Sequence, residues 1–285
     1  MGFRTIVVQN RSKLDLKLNY LVCRGETEVR VYIPEISVLI LESTAISLTS
    51  ALISQLIKNN VKIIFCDEKH NPESEVVGYR EHYLSSKKIK IQMLWEQSTK
   101  ELVWQQIVRE KIKKQSEFLK EIGCFKESEL LQEYVTQVEL NDYSNREGHA
   151  AKVYFNALWG QNFSRRSDSW TNVALNYGYS ILLSLFNREV VKNGYLTQLG
   201  IWHKNEFNHF NLSSDLMEPF RVLVDRIVFY ETKESEWKDK VLSLLEKQVK
   251  INNKSQYLEN AITEYSLSIF DSLQTNNVDI SFYVL

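Results

Sequence analysis

Three segments of the chain hold residue types suited to metal and phosphate chemistry. The first is Gly200-Ile-Trp-His203-Lys-Asn-Glu-Phe-Asn-His209-Phe-Asn-Leu-Ser-Ser-Asp215-Leu-Met-Glu218-Pro219-Phe-Arg221. Asp215 and Glu218 are three positions apart, so on a helix they share a face. His203 precedes Asp215 by twelve residues, in what reads as a loop running into that helix. An imidazole with carboxylates is a mixed nitrogen and oxygen ligand set that suits Mn²⁺ and tolerates Mg²⁺. The same spacing also fits a histidine that caps or packs a helix and two acids on a solvated face.

The second segment is Asn145-Arg146-Glu147-Gly148-His149-Ala150-Ala151. Here an acid opens a long amphipathic helix, where it either complements the helix dipole or serves as a ligand. The small residue after it lets a ligand or another helix come close. In the third segment Asp168 is placed as an N-cap, and Asn172, Asn176 and Tyr179 fall at i, i+4 and i+7 on one helix face. Buried Asn side chains commonly tie helices together, which is the bland reading of that face.

The elements that must position these groups differ along the chain. Leu14 to Tyr20 alternates with period two, as a half-buried strand does. Thr5 to Val8, Val29 to Ile33, Val38 to Leu41 and Val61 to Cys66 are further β-rich runs. Leu48, Ala51, Leu52 and Leu56 fall at helical spacing, with Lys58-Asn59-Asn60 as the stop. Beyond Glu81 the pattern is helical: Leu102 to Leu119, Ala150 to Leu158, Val173 to Phe186 and Val241 to Val249 are amphipathic and free of proline. Asp67 to Val77 contains Asn71-Pro72 and few apolar residues, which reads as an exposed connection. The expected fold class is α+β: a β-sandwich-like N-terminal domain with one helix, residues 1–80, followed by a larger all-α domain, residues 81–285.

Composition sets outer bounds. The chain has 285 residues, 44% of them hydrophobic, enough for one large or two modest cores. Its formal net charge is −1, yet residues 81–126 carry ten Lys or Arg against six Asp or Glu, and nucleic acids respond to local patches. Cys23, Cys66 and Cys124 form no CxxC pair, which argues against a zinc knot or a disulfide framework. With no signal-like segment and no run of roughly 18 apolar residues, the expected address is the cytoplasm, with no membrane role.

In this order, the three segments resemble the CRISPR-associated integrase, the first protein of the adaptation pair, and most of all the form found in type II systems. Phe-Asn-Leu-Ser-Ser-Asp-Leu-Met-Glu-Pro-Phe-Arg, from Phe210 to Arg221, is the most specific piece. The resemblance implies a metal site of Glu147, His203 and Glu218, with Asp215 as an orienting or auxiliary group. Trp202 stands where some relatives carry another His, and His209 has no clear counterpart. It also implies Mg²⁺ or Mn²⁺, and attack by a DNA 3′-hydroxyl on a phosphodiester at the edge of a CRISPR repeat. Arg146, Arg165, Arg166, Arg221, Lys87, Lys88 and Lys90 are the expected DNA contacts. The implied partners are prespacer and repeat DNA, a second copy of the chain through the β half, and the small second adaptation protein in a heterohexamer. The type II effector nuclease and an accessory DNA-ring protein complete the set. A metal-dependent nuclease that does not integrate, or a non-catalytic DNA-binding scaffold, would carry much the same residues.

Overall fold

In the computed structural model, residues 2, 4–78, 83–231, 233–234 and 236–284 are described. The chain divides into two compact units, Met1–Glu81 and His82–Leu285. The expected boundary between residues 80 and 81 lies outside the described residues.

The first unit contains β1 (Arg4–Val8), β2 (Ser12–Lys17), β3 (Tyr20–Arg24), β4 (Glu28–Tyr32), β5 (Ile36–Leu41), β6 (Ile46–Leu48), α1 (Ser50–Lys58), β7 (Lys62–Cys66) and β8 (Pro72–Glu75). These form two four-stranded sheets, ordered β1-β5-β7-β8 and β4-β3-β2-β6. All six residues of β5 are buried, because β1 and β7 flank it in parallel and both of its faces are covered. The two sheets and α1 share one core, with Leu14, Leu21, Leu39, Leu52, Leu56 and Ile63 inside it. Thr49 caps α1 by accepting the Leu52 N–H through its hydroxyl.

Two expectations in this unit are corrected. The alternating run from Leu14 stops at Lys17, because Leu18 and Asn19 both take positive φ and make the tight turn of the β2–β3 hairpin. Asp67 to Val77 is not only a connection: it carries β8, an edge strand on β7 that begins at Pro72, where a missing N–H is tolerated.

The second unit contains α2 (Ser85–Met93), α3 (Gln97–Glu121), α4 (Phe125–Gln137), α5 (Arg146–Trp159), α6 (Trp170–Lys192), α7 (Asn211–Met217), α8 (Arg221–Tyr230), α9 (Trp237–Leu242), β9 (Gln248–Ile251), β10 (Lys254–Tyr257) and α10 (Leu258–Thr275). A 3-10 turn, Glu218–Phe220, joins α7 to α8. The long α3 packs against α4, α5, α7, α8 and α10. Its buried stripe includes Trp104, Val108, Lys111 and Gln115, so a lysine sits where the helical period calls for an apolar residue. The α6 helix packs against α7, α8, α9 and α10 and is buried over most of its length. At Gly178 it meets α8 so closely that a Cβ would lie 2.4 Å from Val224 Cγ1.

The expected helix Val241 to Val249 is also corrected. Only α9 and a 3-10 turn cover its start, and β9 and β10 form a hairpin through Asn252 and Asn253, both at positive φ. Val249 and Ile251 are buried while Gln248 and Lys250 are exposed, a period of two that competes locally with the helical one. Among the described residues no helix is long and apolar enough to cross a membrane.

Candidate active site

Glu147 lies in the first turn of α5. The helix start is fixed by Asp142, a buried acid whose carboxylate accepts the N–H groups of Arg146 at 2.8 Å and of Glu147 at 3.0 Å. Burial pushes the Asp142 carboxyl above its usual range, against the pull of these two N–H donors. With its backbone held, the Glu147 side chain accepts a 2.5 Å hydrogen bond from the Lys111 ammonium of α3.

Glu218 accepts from the same ammonium. Its Oε2 is 2.5 Å from Lys111 Nζ, and its Oε1 is 2.9 Å from Arg221 Nε. Glu218 keeps helical backbone angles as it opens the 3-10 turn after α7, and Pro219 follows at the start of that turn, where its missing N–H is tolerated. Burial alone would raise the Glu218 carboxyl, but Arg221 and Lys111 bring it down to about 2. Burial likewise opposes the charge on Lys111, and Glu147 and Glu218 overcome it, raising its pKa above the ordinary lysine value.

Asp215 does a different task. Fully buried on α7, it accepts the backbone N–H groups of Ile201 at 2.6 Å, Trp202 at 2.9 Å and His203 at 3.1 Å. It also pairs with His203 Nδ1 at 2.5 Å. That bond raises the His203 pKa, with desolvation opposing it. Nδ1 is thereby engaged, and Nε2 is the nitrogen left to act as a ligand. The loop comes this close because residue 200 is glycine: a Cβ there would lie 2.4 Å from the His203 carbonyl oxygen and 2.8 Å from Asp215 Oδ2. Trp202 stacks on Trp104 of α3, with centroids 5.6 Å apart, and Trp104 meets the His203 ring edge-on. Trp202 thus packs an aromatic against α3.

The seven expected DNA contacts separate. Arg221 is half-buried beside Glu218, 4.7 Å from the centroid of the Tyr179 ring. Arg165 donates to Asn172 and Asn176, both at 2.6 Å, so the polar face of α6 anchors an arginine in addition to tying helices. Both arginines line a cavity of about 240 Å³ with Lys111, Gln115, Tyr179 and Glu218. Arg146 is half-buried over the Tyr134 ring, and Arg166, Lys87 and Lys90 are exposed. Lys88 is tied to Tyr195 and Gln274. On the other side of the site, His203, His209, Lys100, Lys204, Gln92 and Trp95 line a cavity of about 530 Å³. Asp168 is not the cap of α6; Ser169 is, accepting the Asn172 N–H at 3.3 Å.

Lys111 and Asp142 were not legible as site residues in the pattern of acids and histidines. The available signal for Lys111 was a lysine on the apolar stripe of α3. Among the described residues, no three His, Cys, Asp or Glu side chains form a ready metal cluster. The donor set nevertheless fits a hard divalent ion. Glu147 and Glu218 converge on one positive charge, the Lys111 ammonium, and both lie close enough to His203 to raise its pKa.

Comparison with known proteins places the chain in a family. The profile of the family described as CRISPR associated protein Cas1 matches residues 5–265. A protein of Neisseria meningitidis serogroup C (strain 8013), named CRISPR-associated endonuclease Cas1, is 34% identical over 232 residues, which is 81% of this chain and 76% of the relative. Among solved structures, a casposase bound to integration product superposes with a TM-score of 0.77 at 18% identity, over 98% of this chain and 92% of that one. A Cas6-RT-Cas1–Cas2 complex gives a TM-score of 0.74 at 17% identity over 98% of this chain, which spans only 35% of the larger polypeptide. The extent of the profile match and the identity to the Neisseria relative together place the chain in the CRISPR-associated Cas1 family.

Proposed function

We propose that this chain is a divalent-metal-dependent DNA endonuclease and integrase of CRISPR adaptation, inserting spacer DNA into the array by 3′-hydroxyl attack on a repeat phosphodiester. The observation that carries the reading is the convergence of Glu147 and Glu218, brought from two distant segments, on one cationic position, with both carboxylates near enough to raise the His203 pKa. Glu147 and Glu218 would hold Mg²⁺ or Mn²⁺ through oxygen and His203 through Nε2. When bound, such an ion neutralises the charge that builds on the non-bridging oxygens of the attacked phosphate.

The chain's own groups do the rest. Asp215 orients His203 by holding both its ring nitrogen and its backbone N–H. Arg221 and Arg165, side by side in the cavity next to Glu218, offer guanidinium forks to a phosphate. Arg146, Arg166, Lys87, Lys88 and Lys90 hold DNA further out, fixing position more than sequence. With water in place of the 3′-hydroxyl the same site cuts DNA.

The β-rich unit is the proposed dimer-forming part and the helical unit the catalytic one, working in the cytoplasm. The Cas2 named in the solved complex corresponds to the small second protein of a heterohexamer. The type II effector nuclease and the DNA-ring protein are further proposed partners. The test is a joining assay with the chain, its second adaptation protein, Mn²⁺ and a supercoiled plasmid carrying a repeat. Strand-transfer products that vanish in Glu147→Ala support the proposal. Hydrolysis without joining indicates a non-integrating nuclease, and full activity in Glu147→Ala indicates a scaffold.

A further inference from the structure

We propose that Lys111 is an exchangeable internal cation: it occupies the metal position in the ion-free protein and moves into the adjoining cavity when the ion arrives. This rests on the metal reading given above. Three observations and one electrostatic argument carry it. The Lys111 ammonium is 2.5 Å from a carboxylate oxygen of Glu147 and 2.5 Å from one of Glu218, so it sits between two of the three proposed ligands. Its side chain is only 10% exposed, and Glu218 is 5% exposed. Two acids facing each other, one buried and one 25% exposed, would repel without a cation between them, so a resident charge stabilises the pair before loading. Finally, Lys111 also lines the 240 Å³ cavity with Arg165 and Arg221. An ammonium displaces about the volume of one water, roughly 30 Å³, so the cavity can receive it.

The charges give the exchange a purpose. Glu147, Glu218, Lys111 and Arg221 are formally neutral together. A divalent ion therefore leaves an excess of two positive charges if Lys111 stays in the neighbourhood, and a DNA phosphate in the cavity relieves that excess. Lys111 thus weakens loading by the ion alone, and weakens it less when DNA is present. By linkage the ion tightens DNA binding by the same factor. Lys111 is a positioning residue, and its effect should appear in ion binding without any turnover.

The experiment is calorimetric titration of the full-length, metal-free protein with Mn²⁺, with and without a short DNA duplex, for wild type, Lys111→Met and a Glu147→Ala/Glu218→Ala double variant. The expected result is that Lys111→Met binds Mn²⁺ about tenfold tighter than wild type without DNA, and that DNA improves Mn²⁺ binding less in the variant. Its melting midpoint in EDTA should fall below wild type and recover on Mn²⁺ addition. Equal or weaker Mn²⁺ binding in Lys111→Met, while the double variant loses binding, overturns the exchange and leaves the metal reading standing. Undiminished Mn²⁺ binding in the double variant overturns the metal reading itself. If Lys111→Met does not fold, NMR of wild-type protein labelled at lysine Cε decides. The resonance missing from Lys111→Arg must shift on saturation with Mg²⁺, and a stationary resonance overturns the exchange.

Discussion

Each unit of the chain buries a lysine against a carboxylate, and the two sites differ in instructive ways. In the β unit, Lys62 of β7 meets Glu75 of the neighbouring edge strand β8 at 2.6 Å, with side-chain exposures of 4% and 12%. In the helical unit, Lys111 meets two acids from two further segments, and Arg221 adds a second cation to one of them. The first arrangement ties adjacent strands. The second draws α3, the start of α5 and the 218–220 turn onto one point beside a histidine and a cavity. A buried ion pair by itself is therefore no sign of a site, since burial costs desolvation that the attraction barely repays. Opposed acids collected from distant segments are the better sign, because stability alone gives no reason to assemble them.

The largest effect should come from breaking the second arrangement. Glu218→Ala removes one proposed ligand and takes a carboxylate from the buried Lys111 and from the half-buried Arg221. Metal-dependent DNA processing is expected to fall about 10²–10³-fold, and stability by about 3–5 kcal/mol. Strand-transfer assays and urea denaturation check the two. A variant that loses activity at unchanged stability would mean that Arg221 finds another partner.

Asp225 extends the comparison to an acid that, among the described residues, makes no ion pair with a lysine. It lines the Arg165–Arg221 cavity, accepts a hydrogen bond from Tyr179, and is raised by burial to about 6. A raised acid binds its proton more tightly when folded, so the contribution of Asp225 to folding stability is greatest at low pH and declines as pH rises from about 4 to about 6. The decline should reach about 3 kcal/mol, two pKa units at ~1.4 kcal/mol each. Asp225→Asn should flatten that part of the stability profile and leave the variant more stable than wild type at neutral pH. A parallel decline in the variant would assign the effect to other groups.

Asp215→Asn comes next. It keeps size but removes the charge that engages His203 and accepts three backbone N–H groups. Mn²⁺ affinity is expected to fall 10–100-fold, as for other groups that orient a ligand. The His203 titration, followed by NMR, should move down toward its ordinary value, because the bond to Asp215 is the main cause of its elevation.

How much of this was legible follows from what each residue's role depends on. Glu147, His203, Asp215 and Glu218 stood out because acids and an imidazole at helix starts and in a loop are chemically conspicuous. The two-part α+β organisation followed from the change of period near residue 80. Lys111 was hidden because its role is set by partners 36 and 107 residues away, which no local window contains. The β9–β10 hairpin was hidden because Val241 to Val249 supports either period, and the Asn252-Asn253 turn decides it. Leu18 was hidden for a similar reason: an apolar residue in a left-handed turn is uncommon, so the strand pattern appeared to run on through it.

The smallest expected effect is at Lys62, and it tests the comparison from the opposite side. Lys62→Met alone leaves Glu75 without this cation, and stability should drop by ~1–3 kcal/mol. Glu75 lies on an edge strand and is slightly exposed, so it can turn toward water, which limits the loss. Changing both residues, Lys62→Met with Glu75→Gln, should return stability to within about 1 kcal/mol of wild type, because an apolar replacement of a whole buried pair is nearly neutral. Neither change should alter metal-dependent DNA processing or Mn²⁺ affinity. At Lys111 the same lysine-to-methionine change should tighten Mn²⁺ binding, because there the lysine shares its place with an ion. If the Lys62 variants shifted Mn²⁺ affinity as much as Lys111→Met, the two buried lysines would be doing one kind of work, and the distinction between a strand tie and a cation position would be lost.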